Sequence, residues 1–252
     1  MSKNFELLTH VEGDRGLFQA AEREAEPSVS TNVMPPLGEV AREEVAKLVQ
    51  RIFLTSNGNG NGNGNGRARA VAFCGIGHGD GASWMCAQVA LAVAAQGAAS
   101  VCTVDANLRS PRLHSYLGTA NRCGLAEAIR QVGPIRKFLE LGPRRNLWVL
   151  AAGVSADLGL LLTSERLRER VAELRAEFDF LIFDAPPAGH ANDTAVLGSL
   201  LDGVVLVVGA HTTRRETARK AKESLEKGNV HLLGTVLNGR TFPIPDALYR
   251  RL

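Results

Sequence analysis

Gly75, Gly77, Gly79 and Gly81 crowd the segment CGIGHGDGASW, residues 74–84, between an apolar run and a long helical pattern. Glycines let successive backbone N–H groups converge, and the start of a helix attracts an anion, so the segment has the makings of a phosphate cradle. Ser83 stands where such loops place a hydroxyl on Mg²⁺. Two aspartates follow at the ends of strand-like runs: Asp105 in VDANLRSP and Asp184 in FDFLIFDAPP. In a parallel α/β sheet the C-terminal strand ends line one crevice, so both carboxylates are expected to face the glycine loop. Two carboxylates and a hydroxyl around phosphate oxygens make a Mg²⁺ site. The glycines alone also fit a βα turn with no ligand, and each aspartate alone fits a strand-end turn. The three elements in this order are what argue for a site.

The elements that must position these residues come from apolar periodicity. Six strands are expected: ARAVAFC from residue 68, SVCTVDA from 100, LWVLAAG from 147, FDFLIFDAPP from 178, GVVLVVGA from 203 and HLLGTVLNG from 231. Those around Val71, Val101, Leu181 and Val205 are continuously apolar rather than alternating. Such runs belong to strands covered on both faces, hence to a mostly parallel sheet flanked by helices. Helices are expected over 38–54, 83–96, 164–178 and 213–227, with Ser164 or Thr163 capping the third. In the first, Ala41, Val45, Leu48, Val49 and Ile52 share one face. The chain divides into an acidic, flexible arm (1–34), an amphipathic helix (35–55), an Asn/Gly linker (56–66), the α/β domain (67–240) and a tail (241–252).

The 252 residues suit one such domain with an extension. Net charge is only +3, but it is unevenly spread: residues 1–45 hold 4 Lys/Arg against 9 Asp/Glu, and the rest 25 against 17. That balance does not argue for nucleic acid. The basic helix RRETARKAKESLEK interleaves Glu216, Glu223 and Glu226, as a solvated face does. Cys74, Cys86, Cys102 and Cys123 form no close pair and read as reduced thiols of a cytosolic protein. His190, His211 and His231 show no zinc spacing. No signal peptide and no apolar run of membrane-spanning length is seen, so a membrane link is expected only through a partner.

From Val71 to Asn238 the motifs resemble the tyrosine kinases of bacterial capsule and exopolysaccharide synthesis, relatives of the MinD/ParA class of P-loop NTPases. HGDGASW is similar to the family's PGEGKST loop, and DANLRSP to its DADLRxP. His114, GLAEAI (124–129), LWVLAAG, the stretch LLTSERLRERVAELRAEFDFLIFDAPP and VLN (236–238) follow in family order. The resemblance implies a P-loop α/β fold that takes ATP or ADP with Mg²⁺. It implies nucleotide contacts from Gly77, Gly79, Asp80, Gly81, Ala82, Ser83, Trp84, Arg109 and Asn238, the last near the adenine. It gives Asp105 and Asp184 the catalytic roles, and Ser83, Asp105 and Asp184 the metal.

Departures from the family pattern cluster on that site. Ala82 replaces the lysine that bridges the β- and γ-phosphates, Asn107 replaces a second acid, and Trp84 replaces a small hydroxyl residue whose pocket its indole would partly fill. The family's C-terminal tyrosine cluster is reduced to Tyr249, with Tyr116 the other tyrosine. The expectation is a catalytically impaired regulatory or scaffolding member with weak or absent nucleotide binding, working with a membrane-anchored polysaccharide co-polymerase. Alternatives are an active ATP-dependent tyrosine autokinase and a MinD/ParA-like positioning ATPase. The helix carrying Glu44, Lys47 and Arg51 is consistent with either a homo-oligomer contact or a solvated face.

Overall fold

The apolar runs become the strands of one seven-stranded sheet in the computed structural model, which describes residues 34, 37–54, 69–154, 161–189 and 191–239. The expected arm up to residue 33, the 56–66 linker, the 241–252 tail and His190 lie outside these residues. The strands are β1 Ala70–Gly75, β2 Val101–Asp105, β3 Glu140–Leu141, β4 Leu147–Leu150, β5 Phe180–Asp184, β6 Gly203–Gly209 and β7 Leu232–Asn238. Their order is β3-β4-β2-β5-β1-β6-β7, and every pair is parallel except β3 with β4. The helices are α1 Glu39–Val49, α2 Ala82–Ala94, α3 Leu113–Leu117, α4 Leu125–Arg130, α5 Glu165–Glu177, α6 Ala191–Ser199 and α7 Arg215–Lys227.

Continuous hydrophobicity in the strands resolves into two apolar layers. Ala70, Ala72 and Cys74 of β1 face one layer with α4, α5, α6 and α7. Val71 and Phe73 face the other, with α1, α2 and α3. Both faces of the sheet are thus covered, as a buried parallel sheet requires. Cys74, Cys86 and Cys102 are buried core thiols, whereas Cys123 is exposed. Burial pushes the Cys74 thiol up to about 12, which keeps it protonated and inert.

The first helix starts at Glu39 and widens into a π-type turn over Gln50–Leu54. Val45 and Val49 are buried, but Ala41, expected on the same face, is exposed. The anchor that periodicity overlooked is Phe53, 1% exposed, whose ring meets Phe180 edge-on at 5.5 Å. Ser164 does cap α5, accepting from the Leu167 N–H at 3.3 Å. We expect Phe53→Ala to cost about 3–5 kcal/mol of unfolding free energy, read from urea melts. A loss under about 1 kcal/mol would show that α1 lies outside the cooperative fold.

Chain order and sheet order diverge at β1. From β1 the chain passes over the position of β5 to reach β2, while β6 and β7 lie on the opposite side. A crevice opens at such a switch point, beyond the carboxyl ends of the strands.

Candidate phosphate-binding site

β1 delivers the chain into that crevice at Gly75, and residues 76–81 turn it into α2. Gly79 and Gly81 have φ of 89° and 86°, which glycine adopts without strain. At Gly81 space decides as well: a Cβ there would lie 2.1 Å from Asn238 Nδ2. α2 opens without a side-chain cap, so its first-turn N–H groups face the loop. Gly77, His78 and Gly79 form the exposed crest; Ala82, Ser83 and Trp84 are half-buried.

Asp80 points inward and is only 4% exposed. Its Oδ2 accepts the N–H of Ile76 at 3.0 Å and of Gly77 at 2.8 Å. Its Oδ1 accepts the hydroxyls of Thr212 at 3.2 Å and Thr213 at 2.9 Å. The Asp80 carbonyl takes a third link, from Asn238 Nδ2 at 3.0 Å. Asp80 and Asn238, expected to contact nucleotide, thus also bond each other and bind the loop to β7 and to the turn after β6. Thr212 and Thr213 were missed by sequence reasoning. The only signal was two adjacent hydroxyls just beyond a strand end.

The two strand-end aspartates come together as expected. Asp105 and Asp184 are register partners across β2 and β5, and both are fully buried. Asp105 is well supplied with donors: Asn107 N at 3.2 Å to Oδ1, and Arg112 N at 3.1 Å and Leu113 N at 3.0 Å to Oδ2. Burial nevertheless pushes its carboxyl up to about 7 against those three amides. Asp184 has no hydrogen-bond partner on either oxygen. Burial first, and then the charge of Asp105, hold it well above the usual carboxylate range. The Ser83 hydroxyl is close enough to favour its ionised form without completing a hydrogen bond.

An orphaned buried carboxylate, a second carboxylate in register and a nearby hydroxyl fit a hard divalent cation that brings its own water and phosphate ligands. Among the described residues no group of three or more His, Cys, Asp or Glu is placed to hold a metal. The donor set therefore suits Mg²⁺ shared with a phosphate better than an all-protein metal cage.

The remaining residues fall around this pair. Asn107 is buried with its Oδ1 unpartnered. The Arg109 guanidinium reaches Asp193 at the start of α6, at 3.5 Å. Thr194 anchors that helix to the Asp184 loop by donating to the Pro186 carbonyl at 2.9 Å. Ala82 and Trp84 pack against the apolar layer beneath α1. No Lys or Arg occurs from Val71 through Leu108, so strand, loop and α2 carry no ammonium or guanidinium group. No helix among the described residues is long and apolar enough to cross a membrane.

Comparison with known proteins agrees with this architecture. The model of the family described as ATPase MipZ matches residues 70–209. Tyrosine-protein kinase YwqD of Bacillus subtilis (strain 168) is 34% identical over 163 residues, 64% of this chain and 68% of that protein. The crystal structure of the chimerical protein CapA2B2 superposes with a TM-score of 0.73 at 22% identity, covering 83% of this chain and 88% of that one. The septum site-determining protein MinD from Pyrococcus horikoshii OT3, complexed with Mg-ADP, gives 0.58 at 20% identity over 73% and 76%. At those identities the two structures speak for the fold alone.

Proposed function

Since the chain belongs to the bacterial tyrosine-protein kinases of capsule and exopolysaccharide synthesis, built on the MinD/MipZ type of ATPase fold, we propose that it is a catalytically impaired member. It acts as a regulatory or scaffolding subunit for a membrane-anchored polysaccharide co-polymerase, at the inner face of the membrane. The observation that carries this is Ala82, in a stretch from Val71 through Leu108 that holds no lysine or arginine. Phosphoryl transfer spreads negative charge over the migrating group, and a cation in the loop normally steadies it.

Binding is weakened rather than erased. Backbone N–H groups at the start of α2 meet a phosphate, and Ser83, Asp105 and Asp184 would hold Mg²⁺ against it. When bound, that ion neutralises phosphate oxygens and relieves the repulsion between the two carboxylates. Isothermal titration should show ADP–Mg²⁺ binding no tighter than about 10 μM, given a missing charge-assisted contact. Sub-micromolar binding together with rapid ATP turnover would defeat the proposal.

A second reading, an active tyrosine autokinase, draws on Ser83, Asp105 and Asp184 being brought to one crevice. It requires labelled phosphate on a tyrosine, and loss of that label in Asp184→Ala. Tyr116 lies on α3, half-buried against the α1 and α2 layer. Tyr249 lies outside the described residues.

A further inference from the structure

Asp80 is bonded more heavily than a loop residue needs for its own solvation. One carboxylate collects two backbone N–H groups from its own loop and two hydroxyls from residues 132 and 133 positions away. Thr213 passes the connection on, because its hydroxyl also accepts the Gly209 N–H at 3.2 Å. Gly209 has no room for a side chain: a Cβ would lie 2.1 Å from Thr212 Oγ1 and 2.8 Å from Asp80 Oδ1. Asn238 closes the arrangement from β7 through the Asp80 carbonyl. The loop itself, the turn after β6 and the end of β7 thus converge on one buried residue, the first two through its carboxylate and the third through its backbone carbonyl.

We propose that Asp80 is the positioning residue of the phosphate loop, an internal anion that holds the loop in its ligand-receiving shape and ties that shape to the turn between β6 and α7. The ligand half of this statement rests on the phosphate-site reading above. The latch itself does not, since it is made entirely within the chain. A buried carboxylate with four donors is strongly localised, and asparagine weakens all four bonds and sets an NH2 group against two of the donors. A change at Thr213, outside the cradle, is therefore felt at Ile76 and Gly77.

The test is amide exchange of Ile76 and Gly77, read by NMR in the full chain, alongside titration with ADP–Mg²⁺. Asp80→Asn should speed exchange at both amides by about 100-fold and weaken ADP about tenfold. Thr213→Val should move both readings the same way by about tenfold and threefold, with little change at Val149 of β4. Thr213→Ser, which restores the donor, should return both toward wild type, as a generic packing role would not require. Gly209→Ala gives an independent disruption if Asp80→Asn does not fold. Exchange at Ile76 and Gly77 within about twofold of wild type in Asp80→Asn and Thr213→Val alike would overturn the latch. So would looser amides with unchanged ADP affinity. Wild type that binds neither ADP nor inorganic phosphate would overturn the phosphate-site reading instead, and exchange would still decide the latch.

Discussion

Ala82→Lys is expected to tighten ATP–Mg²⁺ binding by about 30-fold or more. Residue 82 is the first of α2, half-buried at the border between the apolar layer and the crevice. A lysine there can lay its aliphatic stem along the layer beneath α1 and carry its ammonium toward the loop. Charge-assisted contacts of this kind are worth roughly 2–5 kcal/mol, and each 1.4 kcal/mol is about tenfold in affinity. The lower end of that range gives the stated gain. Titration of wild type and variant decides it. An indole in the space beside the loop would mask the gain, so the double variant Ala82→Lys/Trp84→Thr belongs in the same series. A gain seen only in the double variant assigns the block to the indole. No gain in either would mean that a missing cation is not what limits this site.

The other large effect is expected from Asp184→Asn, which should stabilise the ligand-free protein while abolishing its response to Mg²⁺. The direction follows from where the protons sit. Asp105 and Asp184 both have folded-state values raised above the ordinary 3.8, Asp105 to about 7. Below pH 3.8 folded and unfolded chains are both protonated there, and the groups do not affect stability. As pH rises past that value the unfolded chain releases its protons first, so the folded state loses ground until the buried groups also ionise. Ligand-free protein should therefore weaken from about pH 4 upward, through Asp105 until about pH 7 and through Asp184 for as long as it holds its proton in the fold. Asparagine removes the group whose ionisation the fold resists. We expect a gain of about 2–4 kcal/mol at pH 8 that shrinks toward pH 5, measured by urea unfolding at both values. A variant less stable than wild type at pH 8, or a gain that ignores pH, would show that Asp184 is stabilised by something other than a bound cation.

Much of the framework was legible because parallel strands buried on both faces are continuous apolar runs. All six expected strands are present, and the aspartates that end β2 and β5 are register partners. What escaped notice has physical causes. β3 is two residues long and exists only through its pairing with β4. α3 and α4 have five and six residues, too few for a helical period to show. α6, ANDTAVLGS, mixes polar and apolar residues because it sits over the Asp184 loop as well as over the core. Ala41 fell on the expected face by periodicity, but the helix buries its C-terminal half, where Phe53 docks. The inward role of Asp80 could not be read at all, since its hydroxyl donors lie more than a hundred residues downstream.

α2 bears on what the loop retains. Its thirteen residues, ASWMCAQVALAVA, carry no charged side chain, and most are buried between the sheet and α1. Nothing along that rod screens the aligned peptide dipoles, which amount to about half a unit of positive charge at the amino end. In a low-dielectric surround such a field reaches further than it would at the surface. The helix thus sets a fixed, diffuse positive pole beside Asp80, Asp105 and Asp184 where a mobile ammonium would otherwise stand. A field of that kind draws in a resting anion but does not travel with one that moves.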